Sequence, residues 1–361
     1  MHPVSLHAND LAPATAPDLA GLVLTHTLLD PATGRRAFRK GQVLTPTDAP
    51  TLAAIVQAGG APIHAIRLDP GDILEDAAAQ RLATALSGPG VAQRPPVQSR
   101  VNLEATRKGL LRIDAEAIFA INRHPGIGVF TAVDRLPVLP GKVVAGAKIA
   151  PVAIPETVLA AIEATLAARP TAAAAATIQV KPFLPHRAGV IVTEGLDDRI
   201  RDRFEDTVRR KLAWYDSTVL RFAHVPNDPA AVATAADHLL AEGATLLLSA
   251  GGNMMDPLDA TLQALPAFDA EITRLGAPAH PGSMFWLGYT ATGTPVVNLA
   301  SCSMYSRSTV ADLVLPWIMA GERVDADDLA ALGYGGLLDR TTSWRFPPYD
   351  AEQADEPDEE G

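Results

Sequence analysis

The stretch Thr245–Leu265, TLLLSAGGNMMDPLDATLQAL, joins an apolar run to a glycine turn and then to a segment with helical periodicity. Thr245–Ser249 holds three consecutive leucines, which is typical of a strand buried on both faces of a sheet. Asp256–Leu265 predicts the helix that follows the turn. A short apolar strand followed by a helix is the repeating unit of a parallel sheet covered by helices, so this stretch indicates an α/β fold.

The same alternation extends in both directions along the chain. The predicted strands are Val190–Thr193, Thr218–Val225, Thr245–Ser249, Ser283–Thr290 and Thr294–Leu299, and the predicted helices are Asp197–Tyr215, Pro229–Glu242, Asp256–Leu265 and Ser308–Ala320. We therefore expect the C-terminal half to form a doubly wound, mostly parallel sheet.

The preceding sequence predicts an α+β N-terminal region. Its predicted elements are a strand in Gly21–Leu29, a helix from Thr47 to Gly59, a strand at Ile63–Leu68, a helix at Ile73–Ser87 capped by Asp72, helices in Val101–Asn122, strands in Gly128–Pro155 and a helix at Glu156–Arg169. The expected domains are a flexible leader (1–20), the N-terminal α+β region (21–97), a mixed region with a linker (98–176), the α/β domain (177–330) and an extension with a disordered acidic tail (331–361).

Composition excludes several classes of protein. The 361 residues include 30 Lys and Arg against 41 Asp and Glu, and seven of the acids lie in the last twelve positions. A mildly acidic body without a basic face argues against nucleic-acid binding. The single cysteine, Cys302, excludes an internal disulfide and a cysteine-based zinc cluster. With no signal-peptide pattern and no apolar run of about 18 residues, we expect a cytoplasmic protein without a membrane partner.

Glycine and small polar residues follow or precede four of the predicted strands. In a parallel sheet, ligands bind beyond the carboxyl ends of the strands, where glycine lets the backbone approach a phosphate closely. A single loop of this kind is read first as a simple turn, whereas four of them at one edge favour a binding crevice. The candidate ligand-binding residues are Thr193, Glu194, Gly195, Ser249, Gly251, Gly252, Asn253, His280, Pro281, Gly282, Ser283 and Ser301.

Asp256 and Asp259 stand three residues apart at the start of a predicted helix. Such carboxylates share one face and suit Mg²⁺, so both are candidate catalytic residues and Asp259 is the candidate metal ligand. Capping of the helix by Asp256 is the alternative. A hydrolase that uses Ser301 or Cys302 with His280 is a further reading, but the sequence has no GxSxG motif and places no acid to orient the histidine.

Four of these segments resemble one known family. SAGGNMMDPLDATLQAL (249–265) resembles the TGGTGxGPRDxTPEAL signature of the molybdopterin-binding domain shared by MogA-like adenylyltransferases and MoeA-like molybdenumtransferases. VIVTEG (190–195), HPGSMFWLG (280–288) and PVVNLASCSM (295–304) are similar to that domain's TGDE, KPGKPxxxG and LPGNP segments. The order and spacing of the four segments agree over residues 186–320. An additional N-terminal region, in which residues 38–66 are similar to a MoeA segment, favours the MoeA-like variant.

The resemblance implies a molybdenum cofactor biosynthesis protein that inserts molybdate into adenylylated molybdopterin and releases AMP with the help of Mg²⁺. Gly251, Gly252 and Asn253 would then cradle a phosphate, and Asp259 would handle the metal or the transferred group. Thr193 and Glu194 would border the pterin or the nucleotide, and Ser283 and Ser301 would lie over the molybdate or the pyrophosphate. A homodimer, and contact with a molybdoenzyme or another protein of the pathway, also follow from the resemblance.

The sequence departs from the family pattern at three places. His280 and Ser283 stand where the pattern has lysines, LASCS replaces LPGNP, and Asp256 replaces a glycine. Fewer cations mean less stabilisation of an anionic transition state. These departures favour the second hypothesis, a non-catalytic carrier or accessory protein that binds molybdopterin on behalf of a molybdoenzyme.

Overall fold

A computed structural model of the chain describes residues 1–169, 176–195, 197–251, 256–299 and 309–349. The chain divides into two compact units: unit 1 is residues 1–106, 113–134 and 141–179, and unit 2 is residues 107–112, 135–140 and 180–361. The predicted regions 21–97 and 98–176 thus fall largely within one unit. The alanine-rich linker at 170–175 and the acidic tail after Tyr349 lie outside the described residues.

The elements of the described residues are as follows. The strands are β1 His2–Leu6, β2 Leu22–Leu24, β3 Leu28–Leu29, β4 Arg36–Phe38, β5 Ile63–Arg67, β6 Asp72–Leu74, β7 Val91–Gln93, β8 Arg100–Ala105, β9 Gly109–Ile113, β10 Ile127–Thr131, β11 Pro137–Val138, β12 Val143–Ile149, β13 Ala153–Pro155, β14 Ile178–Pro182, β15 Arg187–Val192, β16 Thr218–His224, β17 Leu246–Ala250, β18 Ala270–Leu275, β19 Trp286–Thr290 and β20 Pro295–Leu299. The α-helices are α1 Ala49–Gly59, α2 Glu75–Leu86, α3 Ala115–Asn122, α4 Glu156–Ala167, α5 Asp198–Trp214, α6 Pro229–Ala241, α7 Ala260–Ala264, α8 Val310–Met319 and α9 Ala326–Ala331.

Unit 1 is α+β, as expected, but its N-terminus differs from the expected flexible leader. β1 pairs antiparallel with β5 in a sheet of order β1-β5-β2. Leu6, Leu11 and Leu19 are buried in the cluster that packs against this sheet. Because apolar side chains recur among the prolines and alanines of this segment, it has enough apolar surface to join a core.

The helices predicted across Val101–Asn122 were wrong for the first part of that segment. β8 pairs antiparallel with β12 and β7, and only the last eight residues form a helix, α3. That helix begins where the Asp114 carboxylate accepts a hydrogen bond from the N–H of Ala117 at 2.9 Å. Cross-strand pairing has overridden the helix propensity of the Leu, Glu, Ala, Arg and Lys residues before it.

The cap of α2 also differs from the prediction. The residues from Asp72 to Leu74 form the short strand β6, and α2 begins at Glu75 without a side-chain cap. The Asp72 carboxylate instead accepts a hydrogen bond from the N–H of Asp69, at 2.8 Å. This aspartate therefore stabilises the turn before β6 and not the start of the helix.

Unit 2 contains a largely parallel six-stranded sheet of order β16-β15-β17-β20-β19-β18. The β15–β16, β15–β17 and β17–β20 pairs are parallel, whereas β19 runs antiparallel to both β20 and β18. The sequence predicted five of these strands and missed β18. A second sheet, of order β11-β9-β14, has most of its residues in this unit.

Helices cover both faces of the six-stranded sheet. On one face, Val190, Leu248 and Val297 share an apolar cluster with Phe204 of α5 and Val314 of α8. On the other face, Ile191, Leu247, Val296 and Trp286 cluster with residues of α6 and α7 that include Ala236 and Ala264. The sheet is therefore doubly wound, and the direction of its parallel strands defines its carboxyl edge. No helix among the described residues is both long and apolar enough to cross a membrane.

Candidate functional site at the carboxyl edge of the sheet

The sheet topology places three of the predicted segments along one edge. β15, β17 and β20 are parallel, so Thr193, Gly251 and Leu299 all lie at the end where these strands finish. β18 runs in the same direction and ends at Leu275, and β19 returns from Trp286. The connecting loop, residues 276–285, therefore lies at this carboxyl edge as well, and it carries His280 to Ser283.

Three buried polar side chains at this edge have no hydrogen-bond partner for at least one of their atoms. These atoms are Oγ1 of Thr193, Oγ of Ser249 and Oδ1 of Asn298. The three residues are 9%, 4% and 5% exposed, respectively. We call Thr193, Ser249 and Asn298 the polar row. A buried polar atom without a partner costs on the order of 1–3 kcal/mol, so such a row in a folded chain indicates a place where a ligand or ordered water supplies the missing partners.

The strand register places the polar row on one face of the sheet. Ser249 pairs with Ile191 of β15 and with Asn298 of β20. Thr193 follows two residues after Ile191, and its N–H still donates to the carbonyl of Ala250 at 3.0 Å, so the strand alternation carries its side chain to the same face. The same face carries Leu247, Val296 and Ile191, each of which precedes a member of the polar row by two residues along its strand. These apolar side chains pack against α6 and α7.

Gly251 closes the space beside the polar row. Its φ is +107°, and a Cβ added there would lie 2.4 Å from Oγ1 of Thr193 and 3.0 Å from the backbone nitrogen of Glu194. The first distance is shorter than real Cβ contacts and the second is tighter than most of them, and the positive φ is one that side chains rarely adopt, so the position favours glycine. Gly195, also predicted for the site, is exposed and has open space around it.

One side-chain and two backbone hydrogen bonds anchor the loop from 276 to 285. Nδ2 of Asn298 donates to the carbonyl of Met284 at 3.3 Å, which ties the loop to the polar row. The N–H of His280 donates to the carbonyl of Gly336, and the carbonyl of His280 accepts from Leu338, both at 2.8 Å. The His280–Pro281 peptide is cis, and the side chains of His280 and Ser283 are exposed.

Gly282 fits the same loop against α8. Its φ is +108°, and an added Cβ would lie 2.9 Å from the backbone nitrogen of Val310. That nitrogen donates a hydrogen bond to the carbonyl of Pro281 at 3.3 Å. The close approach explains why glycine occupies this position in terms of packing alone.

The two candidate catalytic aspartates have different environments. Asp259 is 5% exposed and caps α7: its Oδ1 accepts hydrogen bonds from the N–H and hydroxyl of Thr261 and from the N–H of Leu262. Asp256 is exposed and accepts from the N–H of Leu258 at 2.9 Å. The prediction that Asp256 caps this helix was wrong, because the helix begins only at Ala260.

The metal prediction at Asp259 gains no support from the carboxylates that the structure describes. Within the described residues, no cluster of three or more His, Cys, Asp or Glu side chains could hold a metal ion. The hydrogen bonds from the turn and the helix start go to Oδ1 of both aspartates. The assignment of the metal to Asp259 stays a prediction.

Several predicted residues lie outside the described part of the chain. They are Gly252, Asn253 and Ser301, together with Cys302 of the hydrolase reading. The sequence predicted Thr193 and Ser249 for the site but omitted Asn298. The available signal was an amide side chain within the otherwise apolar strand PVVNL (295–299), where an unpaired polar group is costly.

The sequence matches no known family, and its similarity to a solved structure is low. No protein-family model and no curated protein matches the sequence. Among solved structures, the chain is similar to a candidate molybdenum cofactor biosynthesis protein from Corynebacterium diphtheriae, with 17% identity over 37% of this chain and 94% of that chain. The TM-score is 0.29, which establishes neither a shared fold nor a shared function.

Proposed function

We propose that the carboxyl edge of the six-stranded sheet binds molybdopterin or its adenylylated form, and that the chain acts in molybdenum cofactor biosynthesis. The observation that carries the proposal is the polar row, with three buried polar atoms that lack partners. The motif resemblance supplies the ligand class, because Thr193, Ser249 and Gly251 belong to the segments that resemble the molybdopterin-binding family.

The proposed reaction is insertion of molybdate into adenylylated molybdopterin with release of AMP. In this reaction the polar row would orient the ligand, and Gly251 would let the backbone approach it. Asp259 would act on the transferred group or on Mg²⁺. Molybdate is a substrate of the proposed reaction, and Mg²⁺ would offset the negative charge of the phosphates.

A non-catalytic carrier is the second candidate function, and one observation favours it. Lys and Arg are absent from the described stretches 188–195, 246–251, 256–265, 276–290 and 295–299, which border the carboxyl edge. Without fixed cations in these stretches, the developing charge on a phosphate group would receive less stabilisation, while binding through neutral groups is unaffected.

Purified full-length protein separates the two functions. We expect mass spectrometry of the native protein to find molybdopterin or its adenylylated form bound. For the enzyme, molybdate should trigger AMP release from adenylylated molybdopterin. For the carrier, the same ligand should bind without AMP release. If the native protein carries no pterin and adenylylated molybdopterin fails to bind it, both functions are excluded.

Asp259→Asn tests the catalytic role without removing the helix cap, because asparagine caps helices about as well as aspartate. If the carboxylate acts in the reaction, AMP release should fall at least tenfold while the melting temperature changes little. The matched control is Asp237→Asn, which changes an exposed carboxylate on α6 that has no part in the candidate site. Equal AMP release by the wild-type protein and the Asp259→Asn variant would remove Asp259 from the mechanism.

A further inference from the structure

The orientation of the Asn298 amide fixes what this side chain can offer to a ligand. Its Nδ2 donates to the Met284 carbonyl, so Oδ1 is the atom left without a partner. An amide oxygen only accepts hydrogen bonds. Whatever satisfies Asn298 must therefore present an N–H or O–H donor.

The other two members of the polar row can pair with either a donor or an acceptor of a ligand. The hydroxyl groups of Ser249 and Thr193 can each donate one hydrogen bond and can also accept hydrogen bonds. Ser249 pairs directly with Asn298 in the parallel ladder, so the two side chains extend from neighbouring strands on the same face of the sheet. The row therefore offers one obligatory acceptor next to a group that can donate.

The charges in the described stretches beside the polar row argue against a phosphate there. The described stretches that border it contain the carboxylates of Glu194, Asp256 and Asp259 but no Lys or Arg. The ionised phosphate groups of adenylylated molybdopterin have only acceptor oxygens, so one of them would face Oδ1 of Asn298 without a proton between them. Burying that charge without a cation would also be costly.

We infer that the polar row binds the neutral edge of a nitrogen heterocycle, one that presents an N–H donor beside an oxygen or nitrogen acceptor. The N–H would donate to Oδ1 of Asn298, and the neighbouring acceptor would receive the Ser249 hydroxyl, with Thr193 completing the edge. This inference rests on the proposed function, since the pterin ring and the adenine of adenylylated molybdopterin both carry such an edge. The phosphates of the ligand would then lie away from the row.

Binding of three probes to the full-length protein tests the inference. The probes are 6-hydroxymethylpterin, adenosine and inorganic pyrophosphate. The isosteric variants Ser249→Ala, Thr193→Val and Asn298→Leu remove the polar atoms, and Thr218→Val, at an exposed threonine where β16 begins at the opposite end of the sheet, is the control. We expect the affinity for one of the two heterocycles to fall about tenfold in each row variant, while pyrophosphate binding and the control stay unchanged. The heterocycle that responds identifies the ring on the row.

Stability of the ligand-free protein provides a second readout. Removing a buried hydroxyl that has no partner should leave the melting temperature unchanged or raise it. We therefore expect Ser249→Ala and Thr193→Val to lose affinity without losing stability. A structural role for these hydroxyls would produce the opposite pattern, with a lower melting temperature and no change in affinity.

The outcomes separate this inference from the proposed function. If row variants weaken pyrophosphate and neither heterocycle, or if neither heterocycle binds the wild-type protein, the neutral-edge assignment is overturned. Binding of intact adenylylated molybdopterin to the wild-type protein would leave the proposed function standing in those cases. If Asn298→Leu does not fold, the two hydroxyl variants still decide the result.

Discussion

Gly251 is the residue at which a single added methyl group should disrupt the candidate site. Alanine there would adopt a φ of +107° and place its Cβ 2.4 Å from Oγ1 of Thr193. We expect Gly251→Ala to lower the free energy of unfolding by about 2 kcal/mol and to weaken ligand binding at the polar row. Urea denaturation and binding of the heterocycle probe measure the two effects.

Gly195→Ala is the matched control for that substitution. Gly195 lies at the same sheet edge, but an added Cβ would have no atom within 4 Å. We expect Gly195→Ala to change the free energy of unfolding by less than about 0.5 kcal/mol. Equal effects of the two substitutions would show that the close contact with Thr193 does not constrain residue 251.

His186 makes the stability of unit 2 depend on pH. Burial lowers the pKa of this imidazole, whereas its hydrogen bond to the backbone of Thr245 acts in the opposite direction. Its Nε2 is buried without a partner, so a proton there has no acceptor. The unfolded chain takes up a proton near the ordinary pKa of about 6.5, and the folded chain does so only at lower pH.

We therefore expect the free energy of unfolding to fall as the pH is lowered through about 6.5. His186→Gln removes this contribution, so the wild type should lose more stability than the variant between pH 7.5 and pH 5.5. Urea denaturation at the two pH values measures the difference. Identical pH slopes for the two proteins would contradict the assignment.

At the scale of single residues, the sequence indicated two of the three residues of the polar row but not which aspartate caps α7. It placed Thr193 and Ser249 at the site because strand ends in parallel sheets bind ligands. It exchanged the roles of Asp256 and Asp259 as caps, because both precede the helix and only the fold decides where the first turn begins. Asn298 was omitted because its unpaired oxygen becomes evident only when the Met284 carbonyl is known to occupy its amide nitrogen.

Among the secondary-structure elements, α8 depends on a buried ion pair at its first turn. Asp312 is 2% exposed, and its Oδ1 accepts from Nζ of Lys211 at 2.7 Å and from the Tyr349 hydroxyl at 3.0 Å. Its Oδ2 accepts from the N–H and the hydroxyl of Thr309, which completes a capping box. One carboxylate thus joins α5, α8 and the C-terminal segment.

Asp312→Asn should lower the free energy of unfolding by about 3 kcal/mol, because it leaves the ammonium group of Lys211 largely buried without its counter-charge. Adding Lys211→Met should recover part of that loss. Chemical denaturation of the two single variants and the double variant gives the coupling.

The control for this cycle is Glu242→Gln, which breaks an exposed pair with Arg221 (N–O distance 2.6 Å). The side chains of Glu242 and Arg221 are 44% and 47% exposed, so we expect the free energy of unfolding to change by less than about 1 kcal/mol. If Lys211→Met brings no recovery in the Asp312→Asn background, the ion pair is not the source of the loss.

Elements with strong periodicity were predictable from the sequence, and those that depend on pairing were not. The apolar strand β17 and the amphipathic helix α5 were predicted close to their observed bounds. β18 was missed because AEITRL (270–275) contains Glu271 and Arg274 and lies at the edge of the sheet, where one side of a strand needs no apolar residues. β8 was missed because its own residues favour a helix, and its extended conformation depends on pairing with β7 and β12.

For the whole molecule, the α/β class and the doubly wound sheet followed from the sequence, but the division of the chain did not. Contiguous domains were expected, whereas unit 2 takes up residues 107–112 and 135–140 from within the sequence of unit 1. No composition signal marks these segments, since each contributes only a few residues to a sheet. Domain boundaries that depend on long-range pairing cannot be read from linkers alone.

This division predicts that residues 180–361 do not fold stably alone. The fragment lacks β9 and β11, which form a sheet with β14, and it lacks Leu110, which is fully buried in the apolar cluster of unit 2. Loss of one buried leucine typically costs about 2–5 kcal/mol, a large share of the stability of a domain. We expect the fragment to be insoluble or to unfold without a cooperative transition, as circular dichroism would measure.

Co-expression with residues 1–179 supplies the missing strands on a separate chain. We therefore expect the two fragments to purify together and to regain a cooperative unfolding transition. The matched control is Leu110→Asp in the 1–179 fragment, which would bring a charge into the apolar cluster and should abolish the rescue. A cooperative transition of the 180–361 fragment on its own would show that β9 and β11 are dispensable for unit 2.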